Sequence, residues 1–329
     1  AYTSLDDAEG GAENTGCALF GGAAADLPAA GDGYDLAASN MQWNIACYAD
    51  AVDTDEVVIA DWTTAERNYL EIFTPAAADA VGVSQRHSGK WSTDAYRLAI
   101  AGSGARAVRL DHSHIRIDGL QITLTGNDGG FNGWAIATNT SGLSRIYLSN
   151  NIIWYNQTGT AAIYSGIDLS LDCEHLYIWN NIIYGVRGGS NINNAIYTPG
   201  SNNGPVYTYV YNNTIVDCER GIRGFAAGYR PLVFNNITQD CTDGYSGNLD
   251  ADSDYNISDM SGDAPGANSL NDVRVAFADY VNDDFHLADD DTIARDAGRD
   301  LSAYLSVALT SDIDGTARGA GFDIGADEV

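Results

Sequence analysis

Four asparagine pairs, Asn150-Asn151, Asn180-Asn181, Asn212-Asn213 and Asn235-Asn236, recur along the chain at intervals of 30, 32 and 23 residues. Each pair sits in the same frame. A short alternating stretch precedes it ("RIYLS", "HLYIW", "YTYVY", "PLVF"), an apolar run follows it ("IIW", "IIY", "TIV", "IT"), and a glycine stands eight places after the second asparagine, at Gly159, Gly189, Gly221 and Gly244. Alternation with a period of two reads as strands joined by tight turns, and spacings of this size are those of repeat architectures. An earlier segment, "HIRIDGLQITLTGN" from His114, fits the frame with Asp118-Gly119 near the place of the pair.

Each period holds about three short apolar pieces and no convincing amphipathic helix, which excludes helical solenoids. A coil of strands that climbs by one strand spacing, about 4.8 Å per turn, places equivalent residues above one another. Asparagine suits the turn of such a coil because it tolerates left-handed backbone angles and its amide can bond the amides above and below. In this the chain resembles the right-handed parallel β-helix proteins of the pectate-lyase-like superfamily, whose inward turns carry asparagine ladders. The resemblance spans roughly residues 40 to 260. It implies an all-β, single-stranded right-handed parallel β-helix of three-strand coils over 41–260, with Asn151, Asn181, Asn213 and Asn236 as ladder residues. Residues 1–40, with a short capped helix in "TSLDDAEGGAE", are expected to cover one end, and 261–329 to close the other. The stretches "DFHLADDDTIARDAGRD" and "DIDGTARGAGFDIGADEV" resemble the C-terminal segment of bacterial surface β-helix repeat proteins of the choice-of-anchor Q type. Both resemblances speak to fold; the superfamily includes lyases, hydrolases, epimerases, adhesins and viral tailspikes.

The charge balance narrows the partners. Forty-five acidic residues against 16 basic ones give a net charge of -29, and Lys90 is the only lysine. Such a field repels nucleic acid, anionic lipid and polyanionic chains at long range, so neither nucleic acid nor a membrane surface is expected as a partner. It fits an extracellular surface kept soluble by carboxylates, or a high-salt habitat. No apolar run approaches the roughly 20 residues needed to span a bilayer. The start, "AYTSLDDAEGG", does not read as a signal peptide, and no apolar tail follows Val329. The five cysteines form no CxxC pattern, which argues against zinc. Cys218 and Cys241 each stand five places after the second asparagine of a pair, so they are expected as stacked neighbours, either buried thiols or a disulfide. Asp250, Asp252 and Asp254 alternate as in a calcium loop, but Tyr255 and Ser261 stand where such a loop needs glycine and glutamate. An acidic turn is the simpler expectation, with calcium as the alternative and no other cofactor implied.

Function is sought where the repeat varies. Gln157, Arg187, Glu219 and Thr242 share one aligned position, with Arg220 one place further on and Arg223 and Arg230 close in sequence. Stacking is expected to bring Arg187 to Glu219 and Arg220, either as an internal ion pair or as a cluster able to hold an acidic sugar. A second constellation joins Asp111, His112, His114 and Asp118 with Asp168, Asp172, Glu174 and His175, and paired carboxylates about 5 to 10 Å apart are a glycosidase arrangement. A third is the loop "SQRHSGKW", where Arg86, His87, Lys90 and Trp91 form either a glycan contact or a packed anchor. The 19 tyrosines recur on the repeats, as a stacking surface where they face out and as core where they face in. The expected function is an extracellular, cell-surface or virion-surface fibre, spike or adhesin presenting a glycan- or receptor-contacting face, with homo-oligomeric or virion partners. The alternative is a polysaccharide lyase or glycoside hydrolase.

Overall fold

The computed structural model describes residues 4–9, 35–76, 85–102, 104–125, 133–155, 164–169, 171, 173–188, 193–198, 207–225, 230–301, 309–319 and 321–329. Three parallel sheets of seven, eight and seven strands run the length of the molecule. One coil passes from Ile146–Ser149 in the first sheet to Ile152–Tyr155 in the second and Tyr164–Asp168 in the third. The next coil repeats the order with His175–Trp179, Ile182–Tyr184 and Asn194–Thr198. This is the right-handed parallel β-helix.

The register shows why the alternation codes for it. Ile72, Ile117, Leu148, Ile178, Val210 and Val233 lie in one inward column of the first sheet. Leu98, Ile122, Ile153, Ile183 and Ile215 form the matching column of the second, and Val57, Val108, Ile136, Ile167, Ile196 and Ile222 that of the third. All are buried in one continuous core. Burying each such side chain is worth about 1.5–3 kcal/mol, so the stack supplies the main driving force.

The asparagine pairs split into two roles. The first member of each pair takes the left-handed conformation, with φ of 55° at Asn150, 52° at Asn180 and Asn212, and 53° at Asn235. The second members form the ladder. The Asn181 Oδ1 accepts from the backbone N–H and the Nδ2 of Asn151, both at 3.0 Å, and the pattern repeats from Asn181 to Asn213 and from Asn213 to Asn236. It continues to Asn256, a rung that the sequence pattern did not reveal because Tyr255 takes the left-handed place before it. At the other end Leu120 N–H donates to Asn151 Oδ1 at 2.9 Å, and Gly119, with φ 78°, fills the turn.

The repeated glycine is not a turn residue. Gly221 and Gly244 lie within strands Arg220–Gly224 and Asp243–Gly247, and a β-carbon on Gly221 would stand 2.3 Å from the carbonyl oxygen of Gly244. Close approach of successive coils, not backbone freedom, demands glycine there. Gly159 and Gly189 lie outside the described residues.

Helix Leu5–Glu9 covers the first coils, with Leu5 N–H donating to Asp53 and Trp62 Nε1 to Glu9 at 2.9 Å. At the other end the stack passes the expected boundary at residue 260: Leu270–Asn271 still pairs in parallel with Ile257–Ser258. Beyond the antiparallel hairpin of Phe277–Asp279 and Asp284–Leu287, the chain turns back along the first sheet. There Leu301, Leu309 and Phe322 pack on Tyr177, Tyr211 and Phe234. The left-handed asparagines receive it: Asn235 donates to the Arg299 carbonyl, Asn212 to those of Asp323 and Gly325, and Asn180 to that of Ser311. Arg318, its side chain fully buried, pairs with Glu328 at 2.9 Å.

Cys218 and Cys241 are buried free thiols, so the thiol alternative holds. The Cys218 thiol alongside and burial hold Cys241 well above the ordinary thiol range. The aspartates at 250–254 form a turn in which Asp250 accepts from Asp252 N–H and Asp254 from Asn268. No helix among the described residues is long and apolar enough to cross a membrane.

Candidate functional site

The two-residue asparagine turns leave no room for variation between the first and second sheets. The connections into and out of the third sheet are longer and unequal, from 125 to 133, 155 to 164, 184 to 194, 198 to 207 and 224 to 232. Variable connections around a rigid sheet are where binding chemistry accumulates. The outer face of that sheet carries a grouping of cations and aromatics.

Two registered rows build it. Arg106, Trp134, Ser165, Asn194, Arg220 and Asp243 form one; Arg109, Ala137, Asp168, Tyr197, Arg223 and Ser246 form the other. The Arg106 guanidinium lies 5.0 Å from the centroid of the Trp134 ring, and that of Arg223 lies 5.3 Å from that of Tyr197. Trp134 Nε1 donates to Asp168 at 3.0 Å, and Phe225 extends the aromatic row at 6.1 Å from Tyr197.

The arginines differ in what they have left to give. Arg109 is held by Asp111 through Nε at 2.9 Å and Nη2 at 2.6 Å, and Arg106 donates to Asn139. Arg220 meets Asp243 at 3.5 Å while its Nη1 is buried with no acceptor. Arg223 makes no ion pair among the described residues; its guanidinium is steadied by Tyr197 alone. Arg223 therefore presents an unspent planar donor group beside Arg220, whose Nη1 is buried without an acceptor among the described residues, and a guanidinium fork is the geometry that carboxylates and sulfates accept in pairs. Burial raises the Tyr197 hydroxyl above its ordinary range, keeping it neutral as a platform.

The expected pairing of Arg187 with Glu219 does not form. Arg187 leaves the turn after Gly185 and pairs with Asp217 at 2.5 Å, also donating to the Asp240 carbonyl, so it ties its coil to the two that follow. Glu219 is drawn inward, where its Oε2 accepts from Asn193 Nδ2 at 2.6 Å and its Oε1 has no partner among the described residues. Gln157 and Asp172 lie outside the described residues.

The Asp111 to Asp118 constellation is dispersed. Asp111 follows a strand of the third sheet and serves Arg109, Asp168 serves Trp134, and Asp118 stands on the first sheet in an ion pair with Arg86. His112 and His114 both face Thr64. Two residues that alternate within one segment fall on different sheets because the coil turns between them.

The "SQRHSGKW" loop is a packed anchor. His87 is buried with Nε2 at 2.8 Å from the Asn150 carbonyl, and burial lowers it to about 4, so it is neutral. Trp91 packs edge-on to Trp154 at 5.3 Å, and Lys90 reaches Asp284 of the closing hairpin. Lys90 and Trp91 thus join solenoid to closing segment, Trp91 through the cluster that holds Phe285, while Arg86 and His87 tie coils of the solenoid together. The tyrosines of the first sheet stack as well: Tyr147, Tyr177 and Tyr209 lie 5.0 and 5.1 Å apart, with Tyr177 buried.

Sequence reasoning missed Arg106, Arg109 and Trp134. The signal was present in the partly exposed residues of "RAVRL" and "GWAIAT", but only the register shows that they join Arg220 and Arg223. No protein-family model matches the chain, and no curated protein matches it.

Proposed function

We propose that this β-helix presents the outer face of its third sheet to an acidic glycan, as a fibre, spike or adhesin of an extracellular or virion surface does. One observation carries the reading. On a chain of net charge -29, four of the 16 basic residues share this face with Trp134 and Tyr197, and among the described residues Arg220 Nη1 has no acceptor and Arg223 makes no ion pair. Guanidinium forks take the carboxylates or sulfates of the glycan, while aromatic faces take its sugar rings. The long-range field of the molecule opposes a polyanion, so binding depends on these short contacts. Retention of the protein on a panel of uronate, sulfated and neutral polysaccharides tests the reading; retention by the neutral members alone would contradict it.

A second reading, turnover of the same glycan, is favoured by the unpartnered buried Oε1 of Glu219 next to Arg220. It predicts product release from an acidic polysaccharide that Glu219→Gln abolishes.

A further inference from the structure

A cavity of about 350 Å³ lies on a different part of the molecule, between the first sheet and the returning closing segment. Glu71, Arg116, Asp118, Tyr147 and Ser149 of three successive strands line it, Trp179 and Asn180 bound it, and Leu309, Thr310 and Ser311 wall it from the closing segment.

Most polar groups around it are already satisfied. Asp118 is paired with Arg86 and accepts from Ser149 Oγ at 2.7 Å and Asn150 Nδ2 at 2.6 Å. Asn180 donates to Asn150 and to the Ser311 carbonyl, and accepts from Arg318. Two groups are not. Glu71 and Arg116 are register partners on adjacent strands. Among the described residues the Glu71 side chain makes neither a hydrogen bond nor an ion pair. Arg116 touches only rings: its guanidinium lies 3.7 Å from the Tyr69 centroid and 5.2 Å from that of Tyr147, and its Nε is buried without an acceptor. The rings fix the guanidinium in place without using its hydrogens.

An unspent acceptor beside an unspent donor, both held at an aromatic wall, fits hydroxyl groups, which donate and accept at once. We propose that the cavity binds one neutral, hexose-sized sugar residue, its hydroxyls donating to Glu71 and accepting from Arg116. The volume is near the bottom of the range of about 300–1,000 Å³ for small-molecule sites, so it admits a ring and not a chain. Neutrality follows from the charges: Arg116 already faces Glu71, and a ligand carboxylate would meet Glu71 and Asp118 together. Burial also raises Glu71 above its ordinary value, against the pull of Arg116. The site does not depend on the acidic-glycan reading, since it lies on another sheet and selects the opposite ligand charge.

Calorimetric titration of the folded full chain tests it. The ligands are free neutral hexoses, N-acetylhexosamines, hexuronic acids, and neutral oligosaccharides ending in the same residues. At least one neutral sugar binds with a millimolar or tighter Kd; Glu71→Gln and Arg116→Met each weaken it at least tenfold; Arg223→Ala leaves it unchanged. Equal affinity for an oligosaccharide assigns the end of a glycan, and binding of the monosaccharide alone assigns a free sugar. Glu71→Gln keeps shape and removes no contact, so it is expected to fold as the parent does, which circular dichroism checks. Absence of binding by every neutral sugar, binding indifferent to both variants, or preference for hexuronic acids over their neutral counterparts overturns the proposal.

Discussion

Asn181 donates its side-chain amide to the Oδ1 of Asn213 at 2.9 Å, and the backbone N–H of Asn181 donates to the same oxygen at 3.0 Å. One oxygen thus joins two coils through two bonds, deep in the core. Replacing Asn213 by alanine leaves the backbone N–H of Asn181 without its acceptor, whereas Asn181 Nδ2 keeps the carbonyls of Leu148 and Trp179. Urea unfolding of Asn213→Ala is expected to show a loss of about 1–3 kcal/mol from the one buried unmade donor, with an unchanged slope.

Gly221→Ala is expected to destabilise although it adds only a methyl group. The new β-carbon would sit 2.3 Å from the Gly244 carbonyl oxygen, and backbone there cannot swing away as a side chain would. Overpacking of this kind costs about 1–3 kcal/mol. A melting temperature equal to that of the parent would show that the coils can separate locally.

Docking of the closing segment rests on the left-handed asparagines and on Arg318, which donates to Asn180 Oδ1 at 3.0 Å and is paired within the segment to Glu328. Removing one member of a buried pair costs about 3–5 kcal/mol because the other charge is left unmatched. Arg318→Met is therefore expected to expose residues 309–319 to limited proteolysis while the ladder coils stay resistant. Uniform digestion of the whole chain would instead make the segment part of one cooperative unit.

The same segment gives a pH dependence. Burial and the neighbouring Asp314 push Asp312 up to about 8, whereas an unfolded aspartate titrates near 3.8. A raised carboxyl favours the folded state while protonated, so its contribution fades as pH rises from about 4 to about 8. His286 is raised by its hydrogen bond to Asp284, against burial, so its stabilisation is present below about 6.5 and is lost above, with the same sign. His87, lowered to about 4 by burial, acts oppositely: its share is present above 6.5 and is lost as pH falls toward 4. Melting temperature is thus expected to fall between about pH 6.5 and 8, where His87 no longer offsets the others. Asp312→Asn is expected to flatten that fall, and an unaltered slope would remove Asp312 as its source.

The solenoid was legible in the sequence because each coil repeats the same local decisions. The alternation in "HLYIW" fixes which side is core, and Asn180-Asn181 fixes the turn. What the sequence concealed was contact between distant segments. Nothing in the pair Asn212-Asn213 separates the residue that holds Asp323 and Gly325 from the one that builds the ladder, since both are asparagine and the left-handed φ alone divides them. Arg187 was misplaced for a related reason: alignment sets its Cα level with Glu219, yet its long stem carries the charge to Asp217. The third-sheet face was hidden because Arg106 and Arg223 lie more than a hundred residues apart in sequence and share a face only through three intervening strands.

The affinity of the protein for an acidic polysaccharide, measured by calorimetry for the parent and for the Arg220→Ala/Arg223→Ala double variant, tests the third-sheet face most directly. Measurable binding by the parent and at least a tenfold loss in the variant are expected, with melting temperature nearly unchanged because neither guanidinium holds a strong internal partner among the described residues. Binding of equal strength in both proteins, or none in the parent, would contradict the proposed role of that face.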